Sequence, residues 1–187
     1  MPSALPQRIQ EIMDEIRRAL AQVEIPSVEK LVEGMEQAES IFVYGQGRTG
    51  CMTRAFATRL MHLGMKVHCV GDTTTPPITS RDLCLVNSGT GQTRFVYHVA
   101  QAAKEAGAKL ATVTAHPEAR IGRMADIVVT IPAPTKGETA LPDGSGQPPG
   151  SQFAQAALVL MDAIVMALME RFHLTADILA ARHANIE

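Results

Sequence analysis

The strongest constraint on the fold is an alternation along the chain. Short apolar runs, most ending in glycine or small polar residues, are separated by stretches with helical periodicity. The runs are "SIFVYG" (40–45), "KVHCVG" (66–71), "DLCLVNS" (82–88), "KLATVTA" (109–115) and "DIVVTIPA" (126–133). They are largely apolar throughout instead of alternating with polar residues, as strands buried on both faces are. Between them, "RTGCMTRAFATRLMHLG" (48–64), a segment from about Thr93 to Ala106 closed by Gly107, and a short one near 118–125 read as helices. Strands of this kind joined by helices pair in parallel. Pro76 and Pro77 exclude "DTTTPPITS" (72–80) from regular structure.

The same reading extends to both ends. Ile9, Ile12, Met13, Ile16, Leu20 and Val23 recur at helical spacing, predicting an amphipathic helix over 3–23, and a second follows Pro26 to about Glu39. Helices are predicted over 151–172 and 175–184. Residues 134–150, with four prolines and four glycines, read as a long exposed loop. The expected architecture is α/β, a five-stranded parallel sheet sandwiched by helices. One domain spans 1–187: N-terminal helices 3–39, core 40–133, loop 134–150 and C-terminal helices 151–187.

Composition narrows the function. With 17 basic against 19 acidic residues and 4% aromatics, there is neither a basic block nor a set of base-stacking rings, so nucleic acid is not an expected partner. The longest apolar segment, 156–169, contains Asp162 and is shorter than the roughly 20 residues of a bilayer span, so it reads as a core or interface helix. The N-terminus lacks the apolar stretch of a signal peptide, and a cytoplasmic protein is expected. Cys51, Cys69 and Cys84 match no zinc spacing and read as buried free thiols.

Two glycine-rich turns close strands. "GQGRTG" (45–50) has the G-x-G-x-x-G spacing of a dinucleotide loop, but on its own the match is weak, and a tight strand-to-helix turn without a nucleotide is the reading it favours. "SGTGQT" (88–93) is better specified. Gly89 and Gly91 allow close approach of a ligand to backbone, Ser88, Thr90 and Thr93 supply hydroxyls, and Thr93 stands where the next helix begins. No lysine accompanies them, which excludes the nucleotide P-loop and leaves a cup sized for a phosphate monoester. The alternative is a capped helix with a flexible lead-in.

The series "YGQGRTG", "AFATRLMHLG", "VGDTTTPPI", "DLCLVNSGTGQT", "AKLATVTAHPEARIGRMADIVVTIP", "GSQFAQAALVLMDAIV" and "RHANIE" resembles a sugar isomerase (SIS) domain. Within that superfamily it is similar to the 6-phospho-3-hexuloisomerases of the ribulose monophosphate pathway, from about residue 8 onwards. The resemblance implies interconversion of D-arabino-3-hexulose 6-phosphate and fructose 6-phosphate through an enediol, with no cofactor and no metal. It also implies a homotetramer with active sites between subunits, and a hexulose-phosphate synthase as pathway neighbour. It assigns the phosphate to Ser88, Gly89, Thr90, Gly91 and Thr93, and the sugar to Gly47 and Thr49. Arg48 becomes the charged contact, and His183 of the tail a group reaching a neighbouring site to open the ring or shuttle a proton. His62 is a further catalytic candidate, or a packed core histidine. In two respects the chain departs from the family. Where the pattern G-T-x-F-E places a presumed catalytic glutamate, this sequence reads "GSQFAQ" with Ala154, and Gln92 replaces a loop glutamate. A phosphosugar-binding protein without catalysis is therefore the alternative function.

Overall fold

The computed structural model describes residues 4–136 and 146–186. In chain order the elements are α1 (Leu5–Leu20), α2 (Ile25–Gln37), β1 (Ile41–Gly45), α3 (Gly47–His62), β2 (Val67–Cys69), β3 (Leu83–Asn87), α4 (Arg94–Glu105), β4 (Lys109–Thr114), α5 (Arg120–Met124), β5 (Ile127–Thr130), α6 (Ser151–Arg171) and α7 (Ala176–Ala180). All five strands pair in parallel in the order β2-β1-β3-β4-β5. The expected α/β sandwich is the one observed.

Each central strand sends alternate side chains into two cores. Ile41, Val43, Leu83, Leu85, Ala111 and Val113 pack under α1, α2, α3 and α6. Phe42, Cys84, Val86 and Leu110 meet Val96, Ala100 and Ile121 of α4 and α5 on the other face. The chain runs outward from β1 to β2 in one direction and from β3 through β5 in the other. Strand order therefore reverses between β1 and β3, and a crevice opens at the carboxyl ends of these two strands.

Several expectations change in detail. Only Cys84 is buried, its thiol pushed up to about 12 by burial; Cys69 on the edge strand is half-buried and Cys51 is exposed on α3. The final helix is a single short segment instead of 175–184. Arg182 turns back to donate from Nη1 to the His62 carbonyl at 2.9 Å, which draws the tail away from a helical path. The first part of the predicted exposed loop is not exposed: Pro134 and Thr135 are buried. The predicted helix start at Ser3 and loop residues 137–145 lie outside the described residues. Helix α6 is long and apolar enough, by length and composition alone, to cross a membrane, but 56% of its apolar window is buried in this fold, and Phe153, Ala157, Met161, Ile164 and Leu168 make it a core helix.

Asp126 ties β4 to the strand after it. Its carboxylate accepts from the Leu110 N–H at 2.8 Å, while its own N–H donates to the Leu110 carbonyl at 2.8 Å, and Lys104 Nζ lies 2.7 Å away. Burial pushes this carboxyl up, but the Leu110 amide and Lys104 outweigh it and the group titrates below its ordinary range. A pKa lower in the folded than in the unfolded chain stabilises at pH above the unfolded value, and that stabilisation is lost as pH falls through the folded one. Asp126→Ala is expected to lower stability at pH 7 by about 1–2 kcal/mol, nearly all from the amide bond because the half-exposed ion pair counts for little. In urea titrations the gap from wild type should begin to narrow below about pH 4 and go on narrowing as pH falls further. A gap that does not narrow at all as pH falls from about 5 to about 3 would show that packing, not the carboxylate, is responsible.

Candidate active site

At the crevice lies a cavity of about 370 Å³, within the range of small-molecule sites. Three pieces of chain meet there. The β1–α3 turn contributes Gln46, Gly47, Arg48 and Thr49, the β3–α4 loop contributes Asn87 to Thr90 and Thr93, and the α6 start with its lead-in contributes Pro149, Gly150 and Phe153. Thr135 and Lys136, after β5, complete the wall.

The G-x-G-x-x-G spacing has a packing cause. A Cβ on Gly50 would stand 2.6 Å from the Gly45 carbonyl oxygen, so two glycines are what allow α3 to start directly against β1. That close start places Arg48 and Thr49 in the first turn of α3, at the cavity. In the second loop, Gly91 has φ +60, and a Cβ there would lie 2.7 Å from that of Ala119. Its carbonyl accepts from the Ile121 N–H at 3.1 Å, and the Gly89 carbonyl accepts from the Ala115 N–H at 3.0 Å. The loop is thus pinned by backbone bonds, leaving its hydroxyls for other work.

Those hydroxyls converge. Ser88 Oγ donates to Thr93 Oγ1 at 3.3 Å, and Thr90 Oγ1 lies 3.4 Å from the same atom. Both distances are long for O–H···O bonds, so the three groups hold one another weakly and remain available to a stronger acceptor. Thr93 is the N-cap residue of α4, yet its side chain makes no capping bond. The amides of the α4 first turn, with the positive end of the helix dipole, face the same place. Hydroxyls, free amides and a helix N-terminus together make an anion cup.

The predicted phosphate residues Ser88, Gly89, Thr90 and Thr93 line one cavity with Gly47, Arg48 and Thr49; Gly91 shapes the loop from behind. The two histidines lie elsewhere. His62 ends α3, about 22 Å of helix from Gly47, and is 2% exposed. His183 stacks on it with ring centroids 3.9 Å apart. Within one protomer this pair does not join the cavity. Ala154 is fully buried and follows Phe153, which lines the cavity.

Four wall residues carry no strong sequence signal. Asn87 is a lone polar residue at the end of an apolar strand; its carboxamide is fully buried and neither polar atom has a hydrogen-bond partner among the described residues. An amide in that condition costs stability unless something in the cavity bonds it. Thr135 and Lys136 belong to a stretch that looks like loop, and Gln46 sits between two glycines. Among the described residues no three His, Cys, Asp or Glu side chains gather as metal ligands.

Residues 34–166 match the SIS domain family. The chain is 35% identical over 179 residues to the 3-hexulose-6-phosphate isomerase of Bacillus subtilis, covering 96% of this chain and 97% of that protein. It is 40% identical over 176 residues to the enzyme of the same name from Mycobacterium gastri, covering 94% and 88%. Among solved structures, a hypothetical protein of Methanococcus jannaschii, for which a molecular function of 3-hexulose-6-phosphate isomerase was inferred, superposes with a TM-score of 0.85. That pair is 27% identical, over 97% of this chain and 99% of the other.

Proposed function

The chain belongs to the SIS domain family, and on that premise we propose that it is a phosphosugar isomerase interconverting D-arabino-3-hexulose 6-phosphate and fructose 6-phosphate through an enediol. The observation that carries the reading is the cavity itself. An anion cup of three hydroxyls and the α4 N-terminus stands beside Arg48, Thr49 and a buried, unpartnered carboxamide. The cup takes the phosphate, and the remaining polar groups meet the sugar oxygens. Curated relatives named 3-hexulose-6-phosphate isomerase are 32–40% identical to this chain over 85–96% of its length.

The reaction moves a proton between C2 and C3, which requires a base. Ala154 supplies none. In this reading His183, with His62 beneath it, serves the cavity of a neighbouring subunit in a homotetramer. Exposed apolar side chains on α1 (Leu5, Ile9, Met13) and α6 (Val159, Met166) are the surfaces offered for that assembly. The protein works in the cytoplasm, downstream of a hexulose-phosphate synthase. The second reading, binding without isomerisation, is favoured by one observation: the position of the family's glutamate is a fully buried alanine.

Incubation with fructose 6-phosphate in deuterated water separates the two. Isomerisation through the C2–C3 enediol is expected to replace the carbon-bound proton at C3 of fructose 6-phosphate with deuterium, followed by NMR. Measurable binding with no exchange would remove the enzyme and leave the binding protein.

A further inference from the structure

A chain of three side chains leads from the surface into this cavity, and the sequence reading gave none of them a role. Glu118 Oε1 lies 3.2 Å from His116 Nδ1, and His116 Nε2 lies 3.3 Å from Thr135 Oγ1. Thr135 is 3% exposed and lines the cavity. It packs against the phosphate loop, its Cγ2 3.2 Å from where a Cβ on Gly89 would be. The loop and the relay are built together. The His116 N–H donates to Thr114 Oγ1 at 3.1 Å, Thr114 Oγ1 donates to the Gly89 carbonyl at 3.2 Å, and the Ala119 N–H closes a turn on the His116 carbonyl at 3.1 Å. An acid, an imidazole and a hydroxyl in series, with only the hydroxyl at the ligand, is an arrangement for handling a proton on oxygen.

We propose that Thr135 is a catalytic residue that moves the hydroxyl proton between the two substrate oxygens, and that His116 and Glu118 position it; this rests on the isomerase reading. Ketose interconversion needs two proton movements. One is between carbons. The other takes a proton from the hydroxyl on C2 and delivers one to the oxygen on C3. Once C2 has lost its proton, the electron pair forms the C2–C3 double bond and the charge rests on the oxygen of C3. The Thr135 Oγ–H bond then breaks as its proton joins that oxygen, and the O–H bond on C2 breaks as its proton joins Oγ. Two O–H bonds break and two form. The charge has passed to the oxygen of C2, ready to collapse to a carbonyl as C3 gains a proton, and Thr135 ends as it began.

His116 makes the hydroxyl ready for this exchange. With Nδ1–H donating to Glu118, Nε2 is the acceptor and holds the threonine proton until a substrate oxygen competes for it. At the cavity wall the threonine oxygen can then accept from a substrate hydroxyl. Proline at 117 and the turn on the His116 carbonyl fix the backbone that carries the ring.

The test compares Thr135→Val, Thr135→Ser, His116→Phe and His116→Gln. Thr135→Val keeps the shape and is expected to lower kcat for fructose 6-phosphate by roughly 10²-fold with KM within about 3-fold, while Thr135→Ser keeps most of the rate. His116→Phe should match Thr135→Val, add little to it in the double variant, and be partly rescued by His116→Gln, which retains a hydrogen-bonding group. A Thr135→Val kcat within about 3-fold of an active wild type overturns the relay alone and leaves the isomerase reading intact. A second readout needs no turnover. Saturating fructose 6-phosphate should move the His116 imidazole ¹⁵N resonances in wild type and Thr135→Ser but not in Thr135→Val. Unmoved resonances in a protein that binds the sugar phosphate overturn the proposal. Failure of wild type to bind the sugar phosphate overturns the reading of the cavity and the relay with it.

Discussion

Replacing Ala154 with glutamate is expected to raise the turnover of fructose 6-phosphate by about two orders of magnitude or more, the usual contribution of a placed general base. Ala154 lies in the first turn of α6, its N–H bonded to the Gly150 carbonyl at 3.2 Å, next in sequence to the cavity-lining Phe153. It has no exposed surface. A carboxylate there would be partly desolvated, which raises its pKa toward the working pH of a base, while the positive end of α6 limits the rise. Both effects favour a group that takes and returns a proton. The same burial has a cost, and the variant should unfold at lower denaturant, by about 1–3 kcal/mol. The paired control is Ala154→Gln, which has the same size and no useful basicity; it should share the stability loss and gain no rate. Equal turnover in wild type and folded Ala154→Glu would show that the carbon-bound proton moves through another group, and the tail histidine of a neighbouring subunit would be the next to remove.

The sheet was legible because its signal is redundant. Five apolar runs with helical stretches between them permit only a covered parallel sheet, and the observed strands fall within the five predicted runs. The phosphate cup was legible for a different reason: Gly89, Gly91 and the hydroxyls of Ser88, Thr90 and Thr93 are adjacent in sequence, so one loop carries the whole signal. Thr135 and Lys136 were not, because nothing local marks them. They reach the cavity only because the chain leaves β5 at the carboxyl edge of the sheet, and a proline-rich stretch reads as exposed loop. Asn87 is intermediate: a polar residue ending an apolar strand is visible in sequence, but its unsatisfied, fully buried carboxamide is a fact of packing. The resemblance gave His62 and His183 a role that no spacing could place. Their ring stack at the far end of α3 is a tertiary contact between residues about 120 apart in sequence.

Removing the hydroxyls of Ser88 and Thr93 together should weaken fructose 6-phosphate binding by roughly 10²- to 10⁴-fold, because each hydroxyl donating to a charged phosphate oxygen contributes about 1.5–3 kcal/mol. The loss should appear almost wholly in KM. The phosphate takes no part in bond making, so its contacts act on ground state and transition state alike, and kcat at saturation should change little. Structure is not the cause of the loss. Thr93 makes no capping bond to α4, and the Ser88 backbone remains tied by its N–H to the Val113 carbonyl at 3.0 Å. Stability of the double variant should therefore stay within about 1 kcal/mol of wild type. Unphosphorylated fructose supplies the control: its weak binding should be the same in wild type and variant, since the groups removed have no partner on it. If calorimetry gave a sugar-phosphate Kd within about 3-fold of wild type, the anion would have to lie on Arg48 and Lys136 across the cavity, and the assignment of the two walls would reverse.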